Sequence, residues 1–260
     1  MKLKIWMSLV IILLILCIIL VFKNFLKSKK KTNTDKVYIF WTGGYDSTFR
    51  LCQALIDEKK QVQPVYVSDI IDNDAKENTR RHNIKQEYEA MKIIDKKIRN
   101  KYPYYKQNLL PLIDIKKVNI SQDIQHNMNI LKKQKRVRRA VCQYGGLAQV
   151  SKDIYDKTGY FTEISVEKEP HGSMMYNTVY NKVECMRNIC RIAKDLNQDD
   201  TSLNIFKYMN YPTLHLSKKD MLKIAKKNNY DDILNLTWSC WYPRNGKPCG
   251  NCIMCKERII

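Results

Sequence analysis

The sequence lacks several features that would point to common classes of protein. No G-x-x-x-x-G-K-[ST] motif occurs, which disfavours a P-loop enzyme that cleaves the γ-phosphate of a nucleotide. No internal repeat is present. Acidic residues are scarce, since 26 Asp and Glu stand against 46 Lys and Arg, and the formal net charge is +20. That charge favours polyanions such as nucleotides, RNA or acidic lipid headgroups, but a lysine-rich compositional bias is the simpler explanation because the charge is spread along the chain.

The cysteines do not form the pattern of a disulfide framework. There are nine, an odd number, and four of them lie close to the carboxyl end. An odd and clustered set favours a reducing compartment and a metal site. The scattered cysteines include Cys52, Cys142, Cys185 and Cys190, and we expect each of these four to be a small buried apolar residue.

The carboxyl-terminal cysteines have the spacing Cys240-x8-Cys249-x2-Cys252-x2-Cys255. Four thiolates with no open position are typical of a structural zinc site, so residues 237–260 are predicted to form a zinc knuckle. Unligated thiols and an iron–sulfur cluster are the alternatives.

The amino-terminal residues predict a membrane anchor. Residues 5–22 are apolar with Ser8 as the only clearly polar member, which is nearly enough to span a bilayer. More lysines follow this stretch than precede it, so the positive-inside rule places the rest of the chain in the cytoplasm. We expect a transmembrane helix within residues 1–27 and a linker at 28–36; a cleaved signal peptide is the alternative.

Residues 37–236 predict a doubly wound parallel α/β sheet, because strand patterns alternate with helix patterns. The predicted strands are 37–41, 62–67, 112–120, 161–166 and 211–216. The predicted helices are 47–56, 77–100, 121–133 and 140–157, with another opened by a capping box at 217–220.

The first predicted strand ends in a candidate phosphate-binding loop. The loop comprises Thr42, Gly43, Gly44, Tyr45, Asp46, Ser47 and Thr48. Paired glycines let the backbone approach a ligand, and the following helix N-terminus attracts an anion. A plain turn with an Asp or Ser cap is the alternative.

This string resembles the SGGxDS pyrophosphate loop of the ATP-pyrophosphatase superfamily, with Thr42 in place of the first serine. The resemblance implies cleavage of ATP between the α- and β-phosphates, with Mg²⁺ as cofactor. It assigns ATP binding to residues 42–48 and catalytic roles to Asp46 and Ser47.

The tail carries a second resemblance. Thr237-Trp238-Ser239-Cys240 followed by residues 249–255 (CGNCIMC) looks like the TWSC…CGxCxxC tail of the 7-cyano-7-deazaguanine synthase family. The resemblance implies that a small carboxylate, 7-carboxy-7-deazaguanine, and ammonia are converted with ATP to the nitrile. The cofactors implied are ATP, Mg²⁺ and Zn²⁺.

Two other functions fit the same motifs. A related enzyme that thiolates or aminates tRNA would use the basic run at 132–139, whose Arg138 and Arg139 fall near the predicted sheet edge. A catalytically inactive, nucleotide-binding membrane scaffold is the alternative of another class. Glu163, Glu167 and Glu169 are further candidates for binding Mg²⁺ or substrate, although a charged strand end is their commoner meaning. The four histidines are isolated and expected to be structural or solvated.

Overall fold

The computed structural model describes residues 35–68, 82–136, 141–168, 174–187 and 189–258, without the side chains of residues 141, 142 and 174. Lys36–Ile260 form one compact unit. The predicted anchor at 1–27 and all but the last two residues of the linker lie outside the described residues. Within the described ranges, no helix is both long enough and apolar enough to cross a membrane.

A parallel sheet of five strands lies at the centre of this unit, in the order β3-β2-β1-β4-β7. Its strands are β1 (Lys36–Phe40), β2 (Gln61–Val67), β3 (Ile113–Ile115), β4 (Thr162–Glu163) and β7 (Met209–Asn210). All four pairings are parallel, which confirms the predicted α/β class. A separate antiparallel hairpin joins β5 (Val183–Met186) to β6 (Ile189–Ile192).

Helices lie between the strands and after the last strand, β7. They are α1 (Tyr45–Cys52), α2 (Ile84–Lys101), α3 (Gln122–Lys133), α4 (Gly146–Thr158), α5 (Met174–Val179), α6 (Lys218–Lys227), α7 (Asp231–Leu234) and α8 (Ile253–Lys256). Single π-turns extend α1 through Gln53–Asp57 and precede α4 at Val141–Gly145. Shorter 3₁₀ segments cover Pro103–Tyr105, Tyr180–Lys182 and Gln198–Phe206. The capping box predicted before α6 is confirmed, since Ser217 and Asp220 bond each other's backbone N–H.

Successive side chains of β1 pack alternately into two hydrophobic cores. Ile39 packs in one core with residues of α1, α2, α6 and α7. Phe40 packs in the other core with α3, α4 and the 3₁₀ segment Gln198–Phe206. Because successive strand residues point to opposite faces, this division covers both faces of the sheet.

Some predicted elements differ from the structure. The strand predicted at 211–216 is wrong: β7 ends at Asn210 and a turn follows. Pro212 has no N–H for the ladder, and the buried Tyr211 and Leu214 imitate a strand pattern. The helix predicted at 77–100 begins at Ile84, and the hairpin β5–β6 was not predicted.

Candidate active site

The loop between β1 and α1 needs glycine at Gly43. Its φ is +70°, a left-handed conformation that other residues adopt at a cost. A Cβ there would lie 3.1 Å from the Glu87 carbonyl oxygen and 3.2 Å from the Met91 nitrogen, so the loop also packs tightly on α2. Gly44 follows as the N-cap of α1 in an extended conformation.

Side-chain hydroxyls stabilise the loop from within. Thr42 Oγ1 accepts a hydrogen bond from Gly44 N at 3.3 Å. Ser47 Oγ accepts one from Thr42 N at 3.4 Å and donates to the Gly44 carbonyl oxygen at 3.3 Å. Thr48 Oγ1 accepts from Trp41 Nε1 at 3.0 Å and is fully buried. Thr48 therefore holds the strand end rather than offering its hydroxyl to a ligand.

A cavity of about 320 Å³ opens in front of this loop. Five of the seven predicted loop residues line it: Thr42, Gly44, Tyr45, Asp46 and Ser47. Gly43 and Thr48 are not among its lining residues. The ends of β1 and β2 and the residues after β4 form its apolar wall. The chain leaves β1 toward β2 and leaves the neighbouring β4 in the opposite direction, toward β7, so the cavity lies where open α/β sheets bind ligands.

Tyr45 is a buried polar group facing the cavity. Its side chain is 7% exposed, and its hydroxyl has no hydrogen-bond partner within the part of the chain that the structure describes. Burial raises the pKa of Tyr45 to about 12, with smaller contributions from Asp46 and Glu167. The phenol therefore keeps its proton at neutral pH and is available as a donor to an anionic ligand.

The lining of the cavity also carries two cations that were not predicted from the sequence, Lys218 and Arg258. Lys218 Nζ lies 2.8 Å from Glu167 Oε1 and 3.9 Å from Glu257 Oε2. Arg258 also lines the cavity. The only sequence signal for Lys218 is its place directly after the capping serine of α6.

Of the two candidate glutamates that the structure describes, Glu167 lines the cavity and Glu163 does not. Glu163 instead forms a buried ion pair with Arg50, at 2.6 Å. Glu169 lies outside the described residues. Glu163 therefore has a structural role in this ion pair.

The tail contacts the phosphate loop directly. Trp238 N donates a hydrogen bond to the Gly43 carbonyl oxygen at 2.9 Å. The indole Nε1 of Trp238 bonds the Cys240 carbonyl oxygen at 2.8 Å. Trp238, Ser239 and Trp241 all line the cavity. The two motifs recognised at distant points of the sequence thus form one site.

The four tail cysteines lie together, with their sulfur atoms all within 4.8 Å of one another. The Sγ atom of Cys255 is 3.9 Å from that of Cys249 and 3.4 Å from that of Cys252. Zn–S bonds of about 2.3 Å in a tetrahedron place sulfurs about 3.8 Å apart, so the group fits one zinc ion. Such a site has a structural role.

Backbone amides favour the charged form of Cys249, whereas burial raises the pKa of Cys240 and of Cys255. Cys249 N donates to Cys240 Sγ at 3.2 Å. Hydrogen bonds from the amides of Asn251 and Cys252 lower the pKa of Cys249 to about 6. Cys249 is therefore largely a thiolate at neutral pH, the form that binds a metal.

The other cysteines divide into two kinds. Cys52 is fully buried, as predicted. For Cys185 the prediction is wrong, because it is exposed and forms a disulfide with the buried Cys190. The sequence concealed this pair because the hairpin that brings the two residues together was not recognised. The side chain of Cys142 is not among those that the structure describes.

The remaining candidates that the structure describes are not among the residues that line the cavity. His82 packs against Tyr242, with ring centroids 6.0 Å apart, and His126 is exposed on α3. His215 contacts the Cys185–Cys190 pair. Of the basic run, Arg136 pairs with Asp200 at 2.6 Å. His171, Arg138 and Arg139 lie outside the described residues.

Comparison with known families agrees with the tail motif. Residues 180–259 match the family model described as Queuosine biosynthesis protein QueC. The resemblance to the 7-cyano-7-deazaguanine synthase family is confirmed over this stretch. The matched stretch includes β5, β6, β7 and the four zinc-type cysteines but not the phosphate loop, and it covers less than half of the chain. No curated protein matches the chain at a significant level.

Proposed function

We propose that this protein is an ATP pyrophosphatase that adenylates a small carboxylate, and that it acts like a 7-cyano-7-deazaguanine synthase. The observation that carries the proposal is the hydrogen bond from Trp238 N to the Gly43 carbonyl oxygen. It joins the tail that matches the family model to the loop that resembles a pyrophosphate-binding motif, beside one cavity.

The phosphate chain of ATP is proposed to lie against the start of α1. The first N–H groups of a helix have no partner within it, and the helix dipole adds positive potential there. The protonated Tyr45 supplies one hydroxyl donor for the β- and γ-phosphates, and Ser47 supplies another when its hydroxyl turns from the Gly44 carbonyl oxygen to the ligand. Asp46, a carboxylate facing the cavity, would hold Mg²⁺, which neutralises phosphate charge when bound.

The carboxylate substrate is proposed to enter from the side of Lys218 and Arg258, where cations line the cavity. Its oxygen attacks the α-phosphorus, and pyrophosphate leaves toward Ser47 and Tyr45. Donors already in place stabilise the developing charge without reorganisation. Trp238 and Trp241 exclude water from the acyl adenylate.

The later steps follow from the family resemblance. Ammonia attacks the acyl carbon and displaces AMP, which gives an amide. A second adenylation, on the amide oxygen, allows loss of AMP and formation of the nitrile. Zinc held by the four cysteines would keep the tail folded against the phosphate loop, outside the chemical steps.

Product analysis tests the proposal. The full chain is incubated with Mg·ATP, ammonia and 7-carboxy-7-deazaguanine, and nucleotides and pyrophosphate are measured. We expect AMP and pyrophosphate, released only when the carboxylate is present. Release that depends on tRNA instead would favour the RNA-modifying alternative, and no release with any acceptor would favour the scaffold. ADP and phosphate as products would exclude the pyrophosphatase class.

Membrane attachment through residues 1–27, with the catalytic unit facing the cytoplasm, is also part of the proposal. It is supported by the apolar run at 5–22 and the lysines that follow it. In membranes from cells expressing the full chain, the protein should resist extraction by carbonate. A protease added to intact cells should leave the catalytic unit uncut. Removal by carbonate would contradict the anchor.

A further inference from the structure

The hairpin β5–β6 places two cysteines opposite each other. Four pairs define its register, from Val183 with Ile192 to Met186 with Ile189, and Cys185 is paired with Cys190. The sulfurs form a disulfide, and the Cα atoms are 4.1 Å apart. Because the ladder itself fixes this register, the two cysteines stay opposite each other when the sulfur–sulfur bond is open.

Cys190 is anchored to the central sheet. Its N–H donates to Asn210 Oδ1 at 2.8 Å, and its carbonyl accepts from Tyr211 N at 2.9 Å. Asn210 in turn donates to Glu163 at 3.1 Å. Cys190 is 1% exposed, whereas Cys185 on the neighbouring strand is exposed. One sulfur of the pair is therefore open to solvent and the other is protected.

An imidazole lies against both sulfurs. His215 Nε2 is 3.3 Å from Cys185 Sγ and 3.8 Å from Cys190 Sγ. The ring packs edge-on against Tyr180, which stacks on Tyr176. A histidine next to a cysteine favours the thiolate, the form that reacts in disulfide exchange.

We propose that Cys185, Cys190 and His215 form a thiol–disulfide exchange site whose co-reactant is a thiol, either a small-molecule thiol or a dithiol protein. The co-reactant attacks the sulfur of Cys185, and Cys190 is the resolving cysteine. His215 passes a proton to the Cys190 thiolate as it leaves. This activity lies outside the adenylation chemistry proposed above.

The exchange balances in two steps. An external thiolate attacks Cys185 Sγ, a new S–S bond forms, and the Cys185–Cys190 bond breaks with its electron pair on Cys190. Cys190 takes up the proton that the first external thiol lost, relayed through the imidazole of His215. A second external thiolate attacks the external sulfur of the mixed disulfide and releases Cys185 as a thiolate, which takes up the proton that the second thiol lost. Two external thiols become one disulfide, and the protein disulfide becomes two thiols.

Glutathione is the probe for the test. The full chain is equilibrated with mixtures of glutathione and glutathione disulfide, quenched with acid, alkylated and mapped by peptide mass. We expect the Cys185–Cys190 disulfide to open and close reversibly as the ratio changes. Cys52, which is fully buried, is the internal control and should carry no glutathione at any ratio.

Three variants assign the roles. Cys190→Ser should accumulate glutathione on Cys185, because the resolving thiol is gone. Cys185→Ser should give no adduct at Cys190, because Cys190 is buried. His215→Gln should keep the disulfide but slow its opening by at least about tenfold, as loss of a proton donor does. Thermal unfolding of each variant checks that it is folded.

Several results would overturn the proposal. A pair that stays oxidised at every ratio would be a structural disulfide, and one that stays reduced would have no exchange role. A folded Cys190→Ser variant without an adduct on Cys185 would contradict the order of attack. If the reduced chain binds a second zinc ion that is lost in Cys185→Ser, the cluster is a metal site instead.

Discussion

Arg50 and Glu163 form a buried ion pair with two contacts, Nε to Oε2 at 2.6 Å and Nη2 to Oε1 at 3.1 Å. Burial acts to lower the pKa of Arg50, but Glu163 and Glu58 outweigh it and the pKa is raised. The pair connects α1, which begins at the phosphate loop, to β4. The ion pair therefore holds α1 against the central sheet. This fixes the position of the loop before α1 relative to the cavity residues that follow β4.

Removing one charge of this pair should be costly. In Glu163→Gln, Arg50 loses one buried carboxylate but keeps its pair with Glu58, so we expect the free energy of unfolding to fall by about 2 kcal/mol, less than for a fully unpaired charge. Urea denaturation measures the change. Asp156→Asn, which breaks the exposed pair with Lys152, is the control and should have a much smaller effect. Equal losses in the two variants would contradict a special role for the buried pair.

Gly43 should be less tolerant of alanine than Gly159. Both have positive φ, +70° and +73°, so each substitution has a conformational cost of about 1–2 kcal/mol. Only at Gly43 would the new Cβ also press on backbone atoms of α2, whereas nothing lies within 4 Å at Gly159. Gly43→Ala should therefore lose more stability in urea and bind ATP more weakly. ATP binding unchanged in a folded Gly43→Ala variant would show that the loop can shift without consequence.

Sequence patterns predicted the fold where apolar runs coincide with strands. β1 and β2 lie within one residue of their predicted limits because they are buried on both faces. The sequence patterns gave a wrong strand at 211–216, because Pro212 ends the ladder after β7 and the buried turn that follows has the composition of a strand. In the site, the phosphate loop and zinc-type cysteines are contiguous motifs and could be recognised. Lys218, Arg258 and the Cys185–His215 contact depend on tertiary packing that no local pattern encodes.

Zinc should stabilise the tail. We expect about one equivalent of zinc in the purified protein, and Cys252→Ser should lose it and unfold at a lower temperature, because metal binding contributes to folding. Metal analysis and thermal melts measure the two effects. Cys52→Ala is the control. Cys52 is not one of the four clustered cysteines, so this variant should leave the metal content unchanged. Wild-type protein without zinc would contradict the knuckle.

Lys218 should contribute to binding of the carboxylate substrate. Replacing it with Met keeps the aliphatic chain but removes a cation that lines the cavity. A lost charged hydrogen bond costs about 1.5–3 kcal/mol, so KM for the carboxylate should rise about tenfold or more. Lys219→Met, at the exposed neighbouring position, is the control and should leave KM unchanged. If KM rises for ATP alone, Lys218 binds phosphate instead.

Ser47 and Asp46 provide the strictest test of the phosphate loop. Ser47→Ala removes a hydroxyl that lines the cavity, and loss of a hydrogen bond to a charged group costs about 1.5–3 kcal/mol. The rate of pyrophosphate release should therefore fall about tenfold to a hundredfold. Ser121→Ala, at the exposed N-cap of α3, is the matched control and should retain full activity.

Asp46→Ala should lose more activity than Ser47→Ala, and added Mg²⁺ should partly restore its activity only if the carboxylate holds the metal. Both site variants should keep their zinc, because the loop supplies none of the four sulfurs. Full activity in a zinc-loaded Ser47→Ala variant would show that the phosphates bind elsewhere.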